Sequence, residues 1–526
     1  MGNKMYYNII YRILLLSILF FSVASSFLLN YRIHELNDDT IDMDCINAQD
    51  YKYKTKHGSY RRGKIFFREN KRSYIQPKIG LVKGRLPPPD GDWIITGLEI
   101  VENSTLIING SIIVESGGTL ILNNSEIYMN LSYDREHGIE ILAGGNLTVR
   151  GTLIESYNHS SRTYIHANSD SYIDIQNSEI RFIGSSYSLE TGGICILTDN
   201  ATIVNNTLYD MYCGVYMNDS KYTIIAYNKI ENCFYYGINA KYSSKNDIYA
   251  NNITNCTEGI HFQSASANIS NNYFKCKYGL YFSTWEYESV IHNNTFEVEE
   301  HAIWLLGDSK NEITYNKFIK GKSGIYFDGY IIYPCENNKV YKNTFVNVTY
   351  GIILDYAYYT NITNNTFQNC GIFLKDKSID NIIENNTVNG KPLVYLVGAE
   401  NTTITDGGQV ILYQCKNITV KNLDIGLTSV GIELYESPNC NITQNKIIGI
   451  EGYNYIDVMY GVPLGIYLRN SDNTSITQNN VSYYRTGIKL VYVSYGDIHD
   501  NFFKKNKYGL YVYGEYQNNI SENIRK

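Results

Sequence analysis

Two acidic residues that lie one sequence repeat apart, Asp328 and Asp355, have the type and spacing for sugar chemistry in this 526-residue chain. Each follows by four residues a glycine that opens a Gly-Ile-x-Leu/Phe segment, and Lys375 holds the same position in the next segment. Carboxylates about 5 Å apart have the separation of a retaining glycosidase pair. One of them would have a raised pKa unless Lys375 offsets the repulsion. Both are catalytic candidates for a polysaccharide hydrolase or lyase, although no catalytic residue is assigned.

Aromatic residues recur two positions after the residue that opens such a segment, which is a glycine or, before Trp304, Ala302. They lie on the face of the strand that should point outward. Rings that stack on the apolar faces of sugars, beside acids that bind hydroxyls, would form a glycan-binding surface. The alternative is that tyrosine, with 51 residues, is simply common and that aromatic side chains suit exposed strands. The ligand-binding candidates are His261, Tyr281, Trp304, Tyr326 and Lys375.

The elements that must position these residues are repeats of 20 to 23 residues in most cases. A second marker, apolar-x-x-Asn, recurs with the same period. Apolar residues alternate with period two inside each repeat, which predicts short strands. A repeat with two or three such strands has no room for a helix. The marker asparagines are Asn206, Asn228, Asn251, Asn272, Asn294, Asn316, Asn343, Asn365, Asn386, Asn445, Asn479 and Asn501.

The repeat therefore predicts an all-β solenoid in which each repeat is one coil, hydrogen-bonded to the coils above and below. We expect the asparagines to be structural, because Asn tolerates the left-handed backbone at a bend. Their side chains can also bond from coil to coil. The repeated glycines are expected to do similar work at the other corner.

The N-terminus indicates export. An apolar run from Ile13 to Leu29 follows Lys4 and Arg12, which fits a signal peptide or an uncleaved signal anchor. Residues 30–92 form a basic stalk that ends in prolines, either a solvated linker or a contact for an anionic surface. Residues 93–190 are predicted to be N-terminal coils with a cap, and residues 191–526 the Asn-ladder repeats.

Two longer repeats contain insertions that we expect to project as loops and to make specific contacts. Their tyrosines are Tyr330, Tyr333, Tyr453, Tyr455 and Tyr460. The last coil has no obvious cap, so end-to-end self-association there is a further expectation. Acidic side chains outnumber basic ones beyond the stalk, which argues against nucleic acid.

Cysteine and histidine do not predict a metal site or another cofactor. Soft copper sites need clustered Met and Cys, or His, and no His-x-His or Met-x-x-Met group occurs. Cys233, Cys256 and Cys276 should stack in adjacent coils, either as buried thiols or as an inter-coil disulfide. Asn-x-Ser/Thr occurs 23 times, which predicts a glycoprotein if the chain is exported.

The repeats are similar to right-handed parallel β-helix proteins, and especially to the NosD-like family. Residues 389–396 (NGKPLVYL) resemble that family's short insert, and 408–412 and 415–420 continue it. Residues 91–95 and 117–120 resemble archaeal cell-surface members. The resemblance implies a right-handed parallel β-helix and an exported carbohydrate-binding or structural surface module. It also leaves open an accessory role for a transporter or metalloenzyme.

Overall fold

The computed structural model describes residues 47–54, 60–67, 75–186, 188–283, 288–451, 463–514 and 517–526. The chain divides into two compact units, residues 1–75 and 76–526. The described part of the first unit is an antiparallel pair of strands, Asn47–Lys54 and Tyr60–Phe67. No helix within the described ranges is long and apolar enough to cross a membrane. The predicted export segment at residues 1–29 lies outside them.

The second unit is the predicted solenoid, and three parallel sheets form its first part. Sheet A carries the candidate site. Its strands are Trp93–Ile95, Ile112–Val114, Ile139–Ile141, Ile165–Ala167, Ile194–Ile196, Cys213–Asn218, Tyr236–Lys241, Glu258–Gln263, Tyr278–Ser283, His301–Leu306, Lys317–Asp328, Val348–Asp355 and Ile372–Leu374.

Sheets B and C complete each coil of this first part. The strands of sheet B are Leu98–Glu102, Thr119–Asn123, Asn146–Arg150, Tyr172–Gln176, Thr202–Val204, Ile224–Ala226, Asn246–Tyr249, Ala267–Ser270, Val290–His292, Glu312–Thr314, Lys339–Tyr341, Asn361–Thr363 and Ile382–Glu384. Those of sheet C are Thr105–Ile108, Glu126–Met129, Leu153–Ser156, Glu179–Arg181, Thr207–Tyr209, Lys229–Glu231, Asn252–Thr254, Tyr273–Lys275, Thr295–Glu297, the start of Lys317–Asp328, Thr344–Val346, Thr366–Gln368 and Thr387–Val388.

A few short elements lie outside these sheets. Leu81–Lys83 pairs antiparallel with the first strand of sheet B, and Leu189–Thr191 is a single turn of 3-10 helix. Cys335–Glu336 and Ala357–Tyr358 form a small parallel pair.

A hairpin at Asn389-Gly390 separates the two parts of the solenoid. Both residues have positive φ, as a tight two-residue hairpin turn requires. Three further parallel sheets follow. Sheet D contains Lys391–Val397, Gln409–Tyr413, Val430–Tyr435, Leu464–Arg469, Thr486–Val491 and Tyr508–Tyr513. Sheet E contains Thr403–Ile404, Thr419–Lys421, Asn441–Thr443, Ser475–Thr477, Asp497–His499 and Asn519–Ser521. Sheet F contains Asp424–Gly426, Lys446–Ile448, Asn480–Ser482, Phe502–Lys504 and Ile524–Arg525.

The marker asparagines form the predicted ladder inside this framework. Each is almost fully buried and bonds to the coil on either side. The amide of Asn272 donates to the carbonyl oxygen of Ile248 (2.8 Å) and to Oδ1 of Asn294 (3.0 Å). Oδ1 of Asn294 also accepts the backbone N–H of Asn272 (2.9 Å). The ladder thus satisfies the polar groups of a buried bend, because each unpaired group there would cost about 1–3 kcal/mol.

The backbone prediction for this bend was wrong by one residue. The positive φ belongs to the residue that precedes each ladder asparagine, such as Asn271 (57°) and Asn293 (53°). Tyr227 and Ala250 take the same conformation. That residue is exposed or half-buried, so its side chain varies, whereas the buried amide that follows does not. Where it is asparagine it can still bond to the neighbouring coil, as the amide of Asn293 does to Oδ1 of Asn271 (2.6 Å).

The repeated glycines also have a different role from the one predicted. Their φ angles are not positive; instead they leave room for the next coil. A Cβ at Gly259 would lie 2.7 Å from the carbonyl oxygen of Gly279 and 2.7 Å from the ring of Phe274. Phe274 belongs to a column of parallel core rings with centroids 4.6–5.1 Å apart. The glycines therefore permit close packing of strands beside a column of large rings.

Candidate functional site

The aromatic candidates lie side by side on sheet A. His261, Tyr281, Trp304 and Tyr326 occupy one register position in four consecutive strands. Their ring centroids are 4.9, 4.6 and 6.1 Å apart in that order. Parallel strands in register place equivalent side chains about 4.8 Å apart. The repeat spacing alone is therefore enough to build this aromatic column.

His261 is fixed at one end of the column by two side-chain contacts. Its Nδ1 lies 2.7 Å from a carboxylate oxygen of Glu258, and its Nε2 lies 2.7 Å from the hydroxyl of Ser283. The two contacts hold the ring edge-on to Tyr281. The imidazole is therefore part of a rigid surface and is not a mobile side chain.

The two acidic candidates meet at the other end. Asp328 and Asp355 are register partners in adjacent strands. The hydroxyl of Tyr326 donates to Asp328 (2.7 Å) and lies 3.4 Å from Asp355. The ammonium group of Lys375 contacts Asp355 (2.6 Å) and the Tyr326 hydroxyl (2.9 Å). These four residues form a single connected cluster, which we call the acid–tyrosine–lysine cluster.

Trp304 joins the aromatic column to this cluster, because its indole N–H donates to Asp328 (3.0 Å). Burial raises the pKa of Asp355, and the neighbouring Asp328 raises it further, whereas Lys375 lowers it. The sequence argument named charge repulsion as the reason for a raised pKa. The larger cause is the removal of the carboxyl group from water.

Pointing outward from the strand does not expose three of these residues to solvent. Tyr326 has 0% of its surface exposed, Asp328 has 9% and Asp355 has 6%. Trp304, Tyr281, His261 and Lys375 are half-buried. The column thus runs from partly accessible rings into a polar cluster that is closed off from most solvent.

His301 is a buried neighbour of this cluster that the sequence reasoning missed. Its Nδ1 lies 2.8 Å from the hydroxyl of Ser323, and its ring centroid lies 5.3 Å from Trp304 and 5.2 Å from Tyr326. Burial, with Lys322 and Lys375 nearby, lowers its pKa to about 3. The imidazole is therefore neutral at physiological pH. The sequence signal for this buried histidine was its place directly before Ala302, which stands where most repeats have a glycine.

Sheet D side chains cap the last strand of sheet A. The backbone of Ile372 bonds through both its N–H and C=O to the amide of Gln409, and the N–H of Leu374 donates to Glu433 (3.0 Å). The carbonyl oxygen of Lys375 accepts the hydroxyl of Tyr435 and the guanidinium of Arg469. Burial raises the pKa of Glu433 well above its ordinary value. This junction covers an edge strand that the next coil would otherwise pair.

The insertion loops are described in part. Tyr330 and Tyr333 close a tight turn through two backbone hydrogen bonds of 2.9 and 3.0 Å. Ile331 and Ile332 at its tip are exposed. Tyr453, Tyr455 and Tyr460 lie outside the described residues. The contact role of these tyrosines therefore stays a prediction.

Two family profiles match the chain. Residues 156–296 and 287–407 match "Right handed beta helix region", and residues 397–524 match "Periplasmic copper-binding protein (NosD)". No curated protein matches the sequence.

Solved structures of low similarity also align with the chain. The periplasmic alginate epimerase AlgG is 11% identical over 81% of this chain and 85% of its own (TM-score 0.31). The Dettilon tailspike protein is 14% identical over 64% and 61% (TM-score 0.34). A tailspike mutant of E. coli bacteriophage HK620, in complex with a hexasaccharide, is 10% identical over 77% and 71% (TM-score 0.27).

The copper in the second profile's description does not fit the side chains of the described residues. No three of their His, Cys, Asp or Glu side chains lie together in a way that could hold a metal ion. Cys233, Cys256 and Cys276 are buried free thiols in the core. The pKa values of Cys256 and Cys276 are raised well above their ordinary value, by hydrogen bonds between neighbouring thiols and by burial respectively. A raised pKa opposes the thiolate form that binds copper.

The profiles and the fold agree with each other. Together the matched regions run from residue 156 to residue 524, through both parts of the solenoid. The chain belongs to the NosD-like right-handed parallel β-helix proteins.

Proposed function

We propose that this protein is an exported surface module that binds carbohydrate on the outer face of sheet A. The observation that carries the proposal is the in-register column of His261, Tyr281 and Trp304, which ends at the acid–tyrosine–lysine cluster. Rings offer flat apolar surfaces, while Lys375, the half-buried member of the cluster, offers a hydrogen-bond donor at its edge. A sugar, with apolar faces and polar edges, matches both.

Export is consistent with two features. Residues 397–524, about the last quarter of the chain, match a family described as periplasmic, and the apolar N-terminal run fits a signal peptide or anchor. We propose a location on the extracellular side of the membrane or a secreted form. Glycosylation of the chain and anchoring by its N-terminus belong to the same proposal.

A glycan array with the full-length protein tests the binding function. Replacing Trp304 with alanine should weaken the strongest interaction about tenfold or more, because burying a large ring is worth about 1.5–3 kcal/mol. Tyr281→Ala should act in the same direction. Trp304→Ala should also lower the unfolding free energy by about 1–3 kcal/mol, because Trp304 packs against the core and donates to the buried Asp328. Affinity is therefore compared under conditions in which both variants are fully folded.

Tyr249→Ala is the matched control. Tyr249 is a half-buried tyrosine on the outer face of sheet B that also contacts another ring, Tyr227 (5.4 Å). Its loss should leave glycan binding unchanged. Equal weakening by the control and by Trp304→Ala would contradict the proposed site, and an array without any ligand would leave a purely structural module.

Cleavage of a polysaccharide, as a hydrolase or as a lyase, is the second candidate function. The paired carboxyl groups favour it, because Asp328 and Asp355 are register partners on adjacent strands, and burial moves the pKa of Asp355 in the direction that a general acid requires. If Asp328 and Asp355 are the reacting pair, Asp328→Asn and Asp355→Asn should each abolish turnover of the bound glycan. Asp247→Asn, at an exposed acid on sheet B, is the control, and unchanged turnover in the two site variants would refute this candidate.

A further inference from the structure

The aromatic column continues beyond His261, onto rings that precede the repeated glycines. Tyr236 packs edge-on against His261 with a centroid distance of 5.2 Å, and Tyr235 lies 4.4 Å from Tyr236. Tyr212 contacts both Tyr235 (6.3 Å) and Phe234 (5.9 Å, stacked). An unbroken series of ring contacts therefore connects Tyr212 to Trp304.

Two of these added rings are exposed to solvent and do not belong to the core. Phe234 has 70% of its surface exposed and Tyr235 has 36%. Their backbones are held in place, because the N–H groups of Phe234 and Tyr235 donate to the carbonyl oxygens of Met211 (2.8 Å) and Tyr212 (3.0 Å). Displaying a fixed phenylalanine ring to water gives the fold no stability. A contiguous exposed patch of this kind marks a binding surface.

The length of this aromatic surface indicates how long a ligand must be to cover it. Cys213 pairs with Tyr236, Tyr236 with Glu258 and Glu258 with Tyr278, so each ring group lies on a new coil. Four coil steps separate the coil of Tyr212 from that of Trp304. At about 4.8 Å per step, the aromatic surface from Tyr212 to Trp304, which we call the platform, is about 19 Å long. A single sugar or a disaccharide would occupy only one end of it.

We propose that the ligand is an extended glycan polymer that lies along the solenoid axis, over Tyr212, Phe234, Tyr235, Tyr236, His261, Tyr281 and Trp304. This inference rests on the proposed function and deepens it, because it assigns further subsites and a substrate class. The two ends of the platform differ: Phe234 and Tyr235 are exposed rings, whereas Trp304 adjoins the polar cluster. The exposed end contributes apolar contact to distant sugar units, and the cluster end contributes hydrogen bonds.

The test is a series of oligosaccharides, from dimer to octamer, cut from the array's strongest ligand and titrated against the full-length protein by calorimetry. Affinity should rise with each added unit until the platform is covered. Phe234→Ala and Tyr212→Ala should weaken the longest members about fivefold or more and the dimer less than about twofold. Trp304→Ala should weaken every member. Tyr249→Ala is again the control, and far-ultraviolet circular dichroism checks that each variant is folded.

The outcomes separate the inference from the function. If the dimer binds as tightly as the octamer, or if Phe234→Ala leaves the octamer's affinity unchanged, the polymer platform is wrong while glycan binding stands. If the array contains no ligand, the proposed function fails and this inference fails with it. Length-dependent affinity that disappears in Phe234→Ala supports both.

Discussion

The asparagine ladder and the aromatic column follow the same rule of one side chain per coil, yet they differ in chemistry. Along the ladder, residues such as Asn272 and Asn294 are neutral amides, almost fully buried, with their polar groups paired between coils. On the outer face of sheet A, equivalent positions hold rings, acids and a lysine, and Asp355 has a raised pKa. The ladder determines the shape, whereas the outer face is free to vary and carries the groups that can act on a ligand.

Replacing a ladder amide with a carboxyl group, a side chain typical of the outer face, should cause the largest loss of stability. Asn294→Asp removes the amide that donates to the carbonyl oxygen of Ile269 (2.8 Å) and to Asn316 (3.0 Å). It also places a carboxyl group against acceptor oxygens. Because buried unsatisfied polar groups are expensive, we expect the unfolding free energy to fall by about 3 kcal/mol or more. Urea denaturation measures it.

The neighbouring residue provides the control for that substitution. Asn293 is exposed and has a positive φ that Asp also tolerates. Asn293→Asp removes the hydrogen bond that this exposed amide donates to Oδ1 of Asn271 (2.6 Å). Because that bond lies in water, stability should fall by about 1 kcal/mol or less. Similar losses of unfolding free energy in both variants would mean that the buried hydrogen bonds of the ladder do not stabilise this bend more than the exposed ones.

The reverse change places a neutral amide, as in the ladder, at the buried acid Glu433 in the junction between sheets A and D. Glu433→Gln keeps an acceptor for the N–H of Leu374 but cannot ionise. Since the folded pKa of Glu433 is raised, its stabilising contribution is complete below the ordinary carboxyl pKa and is lost as the pH rises through the folded pKa. The stability of the wild type should therefore fall relative to that of the variant as the pH rises. Denaturation of both proteins across a pH series measures the difference, and a constant difference would contradict the assignment.

The smallest expected effect is confined to the acid–tyrosine–lysine cluster on the outer face. Lys375 lowers the pKa of Asp355, so Lys375→Met should raise that pKa further. Carbon-13 NMR titration of the aspartate carboxyls measures the shift. Lys377→Met removes an exposed lysine two residues away and should leave Asp355 unchanged. A drop in the pKa of Asp355 in the Lys375 variant would show that the contact between the two groups is misassigned.

The sequence predicted local periodicity well and burial poorly. The spacing of Asn206 to Asn501 and of His261 to Tyr326 gave the correct register, because stacking parallel strands needs only the repeat length. The burial of Tyr326, Asp328 and Asp355 did not follow from the repeat, because it depends on what covers the outer face. The capping of sheet A by Gln409 and Glu433 joins residues 37 and 59 positions from their partners, a contact that no repeat encodes. The rings at Phe234 and Tyr235 were visible as an aromatic run before Gly237 but lie outside the strand pattern.

The most direct test of the account compares one residue from each column in a single experiment. Ligand affinity and unfolding free energy are measured for Trp304→Ala and for Asn294→Ala, with the strongest glycan from the array as the ligand. The account predicts that Trp304→Ala loses affinity about tenfold or more while it remains folded under the conditions of the titration. It also predicts that Asn294→Ala loses stability, while the fraction that remains folded binds with unchanged affinity. If Trp304→Ala keeps full affinity, or loses it only by unfolding, the outer aromatic column is not the binding face.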